Sequence, residues 1–174
     1  MTIKAILPFG DPILRKKARP VEAVDARILK LLSDMADTLY ESEGRAGLAA
    51  PQIGILRRVV VMDCGEGLIE LINPEVIAME GEQTGVESCL SFPGYYGRVN
   101  RAEKVAVRSL NRAGESVIFH GEGFLARCMQ HEMDHLDGVL FIDHMKERWL
   151  VHEHTHERIE LLPVLRLSHA AHSG

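Results

Sequence analysis

The most constraining stretch of the chain is Gln130–Gly138, Gln-His-Glu-Met-Asp-His-Leu-Asp-Gly, which contains His131-Glu132-x-x-His135. On a helix, residues four apart lie one above the other on the same face. Both imidazoles can then grip one metal ion, with Glu132 beside them to carry a proton. Phe124, Cys128, His131 and His135 fall on one stripe at helical spacing, and Leu125, Met129, Glu132 and Leu136 on the next. The histidines and the glutamate therefore point where apolar neighbours point, and the spacing predicts a buried helix over 123–136. A glutamate on a buried face is costly unless it is paired or working. The same five-residue pattern also recurs by chance, above all on surface helices rich in His and Glu. A metal site therefore needs a third ligand from elsewhere in the chain.

At 174 residues the chain is long enough for a proper core, and residues 1–174 are expected to form a single domain. A net charge of −5 offers nothing to a polyanion, so no direct nucleic-acid binding is expected. No apolar run approaches the ~20 residues that cross a bilayer, so no membrane role is expected either. The start, Met-Thr-Ile-Lys-Ala-Ile-Leu-Pro, reads as neither a secretory leader nor a transit peptide. Three cysteines, Cys64, Cys89 and Cys128, make no disulfide framework and point to free thiols in a reducing compartment.

Residues 6–21 carry three prolines and read as an extended arm, with the basic cluster Arg15–Arg19 as a solvated face. Residues 25–42 are amphipathic: Ile28, Leu29, Leu32, Met35, Ala36 and Leu39 recur at steps of three and four behind an N-cap at Asp25. Residues 43–54 form a small-residue loop bracketed by glycines, of the kind that lets backbone approach a ligand. Gln52, in that loop, either donates to a developing oxyanion or pairs with backbone. The runs 58–63, 68–72 and 75–79 read as strands separated at Gly65–Gly67 and Asn73-Pro74, followed by 104–110 and 116–120 around the turn 111–114. Short connections make them antiparallel. A last helix is predicted at about 145–161, ended by Pro163, with His152, His154 and His156 on a solvated face and a loose tail over 166–174.

Cys64 and Cys128 read as small buried hydrophobes. Cys89 sits between polar residues in the turn-like Glu87-Ser-Cys-Leu-Ser-Phe-Pro-Gly94, where a thiolate needs a reason. No histidine follows at the spacing of the extended His-Glu-x-x-His-x-x-Gly-x-x-His pattern. Glu157 downstream and Cys89 upstream are the competing third ligands.

Three segments, Gly47-Leu-Ala-Ala-Pro-Gln52, Glu87-x-Cys89-Leu-Ser91 and Gln130-His-Glu-Met-Asp-His135, resemble in order the three motifs of the peptide deformylase family. The resemblance extends to Asp11-Pro-Ile-Leu-Arg15 and Arg101-Ala-Glu-Lys-Val105 and spans roughly residues 5–148. It implies an α+β fold in which the motif-bearing helix lies at the centre of antiparallel sheets, with an N-terminal and a C-terminal helix. It implies Cys89, His131 and His135 as metal ligands, Glu132 as proton carrier, and Gln52 with the Leu90 backbone N–H as oxyanion donors. It implies Gly47 and its neighbours as the strand that pairs with the substrate. The implied cofactor is one divalent ion, iron(II) first, with zinc, nickel or cobalt as substitutes. The implied substrate is the N-formyl-methionyl peptide leaving the ribosome in the bacterial cytoplasm, and the enzyme is expected to be a monomer or weak oligomer.

Two positions depart from the family pattern. Arg45 replaces a glycine two places before Gly47 and is expected at the lip of the cleft, in reach of substrate. Ser88 replaces a glycine before Cys89 and is awkward if the backbone there needs φ > 0. Arg127 is expected to shape the substrate pocket. Rival readings are a deformylase of another N-formyl compound, a silent peptide-binding relative, and an endopeptidase using Glu157.

Overall fold

The computed structural model describes residues 1–169. The N-terminal arm is extended, with a single 3-10 turn at Pro12–Arg15 whose Asp11 cap accepts from the Ile13 N–H. It is fastened to the body by backbone hydrogen bonds: the N–H groups of Leu7, Phe9 and Ala18 donate to the carbonyls of Gln52, Ser91 and Leu136 at 2.7, 2.8 and 2.8 Å. Arg15 departs from the expected solvated face. Its side chain is buried and donates to Asp143, the Gly138 carbonyl and Ser168. The charge is inside because it ties the arm to segments beyond residue 137. Gly138 is forced by the same contact, since a Cβ there would stand 2.5 Å from the Arg15 carbonyl oxygen.

Helix α1 (Ala26–Tyr40) starts under the Asp25 cap and buries Ile28, Leu32, Met35 and Leu39. Strands β1 (Gly47–Ala49), β2 (Val59–Met62), β3 (Ile69–Glu80), β4 (Gln83–Cys89), β5 (Phe92–Arg101), β6 (Lys104–Leu110) and β7 (Ser116–Glu122) follow, then helix α2 (Phe124–His135). The chain ends in β8 (Trp149–His152), β9 (Arg158–Glu160) and α3 (Leu161–His169). One sheet runs β1-β2-β3-β6-β7 and the other β4-β5-β8-β9, every strand pair antiparallel. Helix α2 packs on β1, β2 and β7 of the first sheet and on β5 of the second. This is the α+β arrangement with the motif helix at the centre. Ala126 to Glu132 and His135 are buried on α2, whereas Phe124, placed on the inner stripe by spacing, is 59% exposed. It stands at the helix start, before the sheets close over it.

Several sequence expectations are corrected. Asn73-Pro74 does not separate two strands. It makes a bulge inside the single strand β3, with Asn73 at φ 51°. The Asn73 amide satisfies Val21 both ways, accepting from its N–H and donating to its carbonyl at 2.8 Å each, and so acts as a strand partner for the arm. The segment expected as a helix over 145–161 is the hairpin β8–β9. Its alternating His and Glu residues after His152 fall in the connection between the two strands, Arg158 stacks over the Trp149 ring at 4.2 Å, and His156 at φ 58° turns the chain. Pro163 does not end a helix. It lies in the first turn of α3, where its missing N–H costs nothing. That helix also takes in Arg166–His169, the described part of the expected loose tail.

Candidate active site

Residues 43–54, expected as a loop, instead supply the edge strand β1 and a 3-10 turn, Ala50–Ile53. Strand β4 and the turn into β5 bring Glu87, Cys89 and Leu90 against α2. Alternate strand residues share a face, so Glu87 and Cys89 both point inward, buried, while Ser88 between them is exposed. Among the described residues only Asn73 and His156 are non-glycine residues at positive φ, so Ser88 sits in backbone that serine tolerates.

The thiol of Cys89 and one nitrogen from each of His131 and His135 lie within 4.8 Å of one another, all buried. Cys89 Sγ is 3.4 Å from His135 Nε2. His131 Nδ1 is held by Glu87 Oε1 at 2.8 Å, which leaves Nε2 for the cluster. Burial opposes a charge on His131, but hydrogen bonds to Cys89 and Glu87 outweigh it and raise its pKa. On His135, burial and then repulsion from His131 and Arg101 push the pKa well below the imidazole range.

Glu132 is buried beside this cluster, and its Oε2 has no hydrogen-bond partner. Burial lifts its carboxyl to about pKa 7, a poise suited to exchanging protons near neutrality. It lies flat on Gly47: a Cβ there would stand 2.7 Å from Glu132 Oε1, so only glycine leaves room for the carboxylate.

Gln52 is fixed at one end, its Oε1 accepting from the Ala49 N–H at 3.0 Å. Its Nε2 reaches the other way, to Ser91 Oγ at 3.1 Å and Cys89 Sγ at 3.6 Å. The backbone pairing read from the sequence is present at one amide end, and the other end is directed at the cluster. A cavity of about 170 Å³ opens over the cluster, lined by Gly47, Val86, Leu90, Phe124, Arg127 and Cys128 together with Cys89, His131 and Glu132. Arg127 does line it, as expected. Arg45 does not. It turns back to the C-terminal end of α1, donating to the Thr38 carbonyl and pairing with Glu41 at 3.1 Å. Unsatisfied helix carbonyls attract a cation more strongly than the open cleft does. Glu157 is exposed in the β8–β9 turn and is not part of the cluster.

Sequence reasoning assigned no role to the network behind His131. Glu87 accepts from Arg101 at 2.8 and 2.9 Å and from Arg127 at 2.7 Å, and Arg101 continues to Asp134 at 2.6 Å. Burial alone would raise the Glu87 pKa, but hydrogen bonds from Arg101 and His131 hold it far below the carboxylate range. The signal was present: a metal-binding imidazole needs a partner for its second nitrogen, and Glu87 shares a strand face with Cys89.

A thiolate and two imidazoles around one point, a carboxylate within reach and an open cavity suit a divalent ion with a free coordination position. The unpartnered Glu132 Oε2 is the buried polar atom that a reacting water would satisfy. Fold and site together define a metal-dependent hydrolase of the α+β class. Residues 3–149 match the family described as polypeptide deformylase. A peptide deformylase of Carboxydothermus hydrogenoformans is 52% identical over 143 residues, 82% of this chain and 93% of that protein. One from Caldanaerobacter subterraneus is 56% identical over 143 residues, 82% of this chain and 89% of its own. The crystal structure of the Thermotoga maritima peptide deformylase superposes with a TM-score of 0.81 at 42% identity, covering 84% of this chain and all of that one. The chain belongs to the peptide deformylase family.

Proposed function

We propose that Cys89, His131 and His135 hold one divalent metal ion and that Glu132, Gln52 and Leu90 carry out the family's reaction around it. That reaction is hydrolytic removal of the formyl group from the N-terminal methionine of newly made polypeptides, releasing formate. The observation that carries the assignment of roles is the buried Cys89–His131–His135 cluster with the unpartnered Glu132 carboxylate beside it.

When bound, the ion supplies a Lewis acid and a water acidic enough to lose its proton near neutral pH. Glu132 accepts that proton at Oε2 and later returns one to the leaving amine. Gln52 Nε2 and the Leu90 N–H hold the formyl oxygen as it becomes negative, each such donor being worth roughly 10²–10³ in rate. Gln52 arrives preorganised because the Ala49 N–H fixes its other end. Edge strand β1 pairs with the peptide backbone in strand fashion, which reads direction more than side chains. The methionine side chain enters the cavity between Val86, Phe124 and Cys128.

Iron(II) is the ion we propose for the cell. Sulfur and nitrogen ligands accept zinc, nickel and cobalt as well. The substrate is met as it leaves the ribosome, in the bacterial cytoplasm, by a monomer or weak oligomer. Bacterial relatives and a chain whose described helices are none of them long and apolar enough to cross a membrane support that setting.

The test is formate release from formyl-Met-Ala-Ser by protein purified without oxygen and loaded with iron(II) or nickel, with Cys89→Ala alongside. Fast release by the wild type is expected, with neither metal retention nor release by Cys89→Ala. A wild type that holds one metal per chain yet releases no formate overturns the substrate assignment. Full metal retention by Cys89→Ala overturns the ligand assignment.

A further inference from the structure

Cys64 has no part in the reaction above and Cys128 only lines the cavity that takes the methionine side chain, yet the fold brings them together. Cys64 opens the turn between β2 and β3, and Cys128 lies on α2 in the cavity wall. They belong to one packed cluster with Met62 and Met129. The Ala46 carbonyl accepts from the Asp63 N–H at 2.8 Å and from Cys128 Sγ at 3.7 Å, so one oxygen fastens both the residue before Cys64 and the thiol of Cys128. The two side chains pack in that one cluster, and each thiol is the strongest influence on the other's proton. No disulfide joins them. That contact pulls the Cys64 thiol below its ordinary range, against burial and the charges of Asp63, Glu132 and Glu66. The same contact, and then burial, push Cys128 up. One sulfur is a half-buried nucleophile, the other a buried proton holder. Reactive cysteines combine thiolate character, exposure and a nearby second thiol in this way.

We propose that Cys64 and Cys128 are an oxidant-responsive pair in which a peroxide oxidises Cys64 and Cys128 resolves it to a disulfide that reshapes the wall of the active-site cavity. The Cys64 thiolate attacks one peroxide oxygen. An S–O bond forms, the O–O bond breaks, and the departing hydroxide takes a proton and leaves as water. Cys128 sulfur then attacks the sulfenic sulfur. The S–S bond forms, the S–O bond breaks, and the second hydroxide leaves as water with the Cys128 proton. The thiols lose two electrons and the peroxide gains them. The closing movement to an S–S distance of about 2.05 Å falls on the turn Cys64-Gly65-Glu66-Gly67, whose exposed glycines sit at φ 104° and 102°. Cys128 lies one helical turn before Glu132 on α2, so drawing its side chain toward that turn disturbs the wall beside the proton carrier.

The test uses nickel-loaded protein, which keeps Cys89 engaged, treated with hydrogen peroxide and digested without reductant. We expect a peptide pair linked through Cys64 and Cys128, and a loss of formate release that dithiothreitol restores. Cys64→Ser and Cys64→Ala keep basal activity and lose the reversible inactivation. Linkage through Cys89, or no linked peptide after treatment, overturns the pair. So does a Cys64→Ser protein that inactivates and recovers as the wild type does. A linked peptide with unchanged formate release overturns the effect on the cavity. The linked peptide is read independently of catalysis, so its absence is distinguishable from a failure of the deformylase reading.

Discussion

The strand side and the helix side of His131 each carry a buried glutamate, and the two behave oppositely. Glu87, on β4, accepts from Arg101, Arg127 and His131, and its pKa is driven far down. Glu132, on α2, is just as buried, has an unpartnered oxygen, and is lifted to about pKa 7. Residue type and burial are the same, and only the supply of donors differs. Where donors saturate a carboxylate it is a fixed charge that aims its neighbour. Where they are withheld it is a group able to move a proton. Two buried arginines, Arg101 and Arg127, stand on one side of the imidazole and none on the other.

Substitutions can break or sharpen this contrast, and Glu132→Gln carries the largest expected effect. Formate release should fall by about 10²–10⁴, with metal content kept and thermal stability unchanged or higher, since a neutral amide escapes the cost of burying a charge. A marked loss of stability would show that Glu132 is structural after all. Gly47→Ala comes next. Its methyl would displace the carboxylate, and such a misplacement costs up to about 10² in kcat/KM. Release close to wild type would mean that the carboxylate's position is not critical. Glu87→Gln should act through His131, lowering metal affinity or activity by about 10–100-fold. It should also destabilise the fold, because Arg101 and Arg127 lose their charged partner. Metal titration and denaturant unfolding together check it, and a variant weak in neither breaks the contrast from the other side.

The smallest effect on catalysis belongs to a clamp away from the cluster. The Asp143 side chain is 26% exposed. Burial would raise its pKa, but the hydrogen bond from Arg15 prevails and lowers it. The fold therefore favours the ionised form. This stability is fully present above the aspartate range of about 3.9 and drains away as pH falls through the lower folded value. Asp143→Asn should cost about 1–3 kcal/mol at neutral pH with formate release intact. The gap from wild type should narrow in acid, and a gap that widened there would reverse the assigned sign.

How far such features could be read in advance depended on the range of the interactions behind them. Helix α2 was legible because its buried stripe is a local period, and so were α1 with its Asp25 cap and the β6–β7 hairpin. The 145–161 segment was misread because alternating His and Glu can be taken for a charged helix face when only Trp149 and Arg158, meeting across the hairpin, mark it as strand. Asn73-Pro74 looked like a turn because its partner, Val21, lies far back in the chain. Arg45 was placed at the cleft by position in a motif, while its side chain answered to the end of α1.

By itself the sequence determined the helix that presents His131, Glu132 and His135 on its inner face, and it named Cys89 and Gln52 as candidates by their place in motifs. Side-chain type and helical period are local properties, and they survive without a fold. Only the tertiary structure decided that β4 delivers Cys89 to the two imidazoles, that Glu87 rather than water holds His131, and that Gly47 leaves space for Glu132. It also decided that Cys64 meets Cys128. Each of these is a meeting of residues distant in sequence, set by how two antiparallel sheets close around one helix.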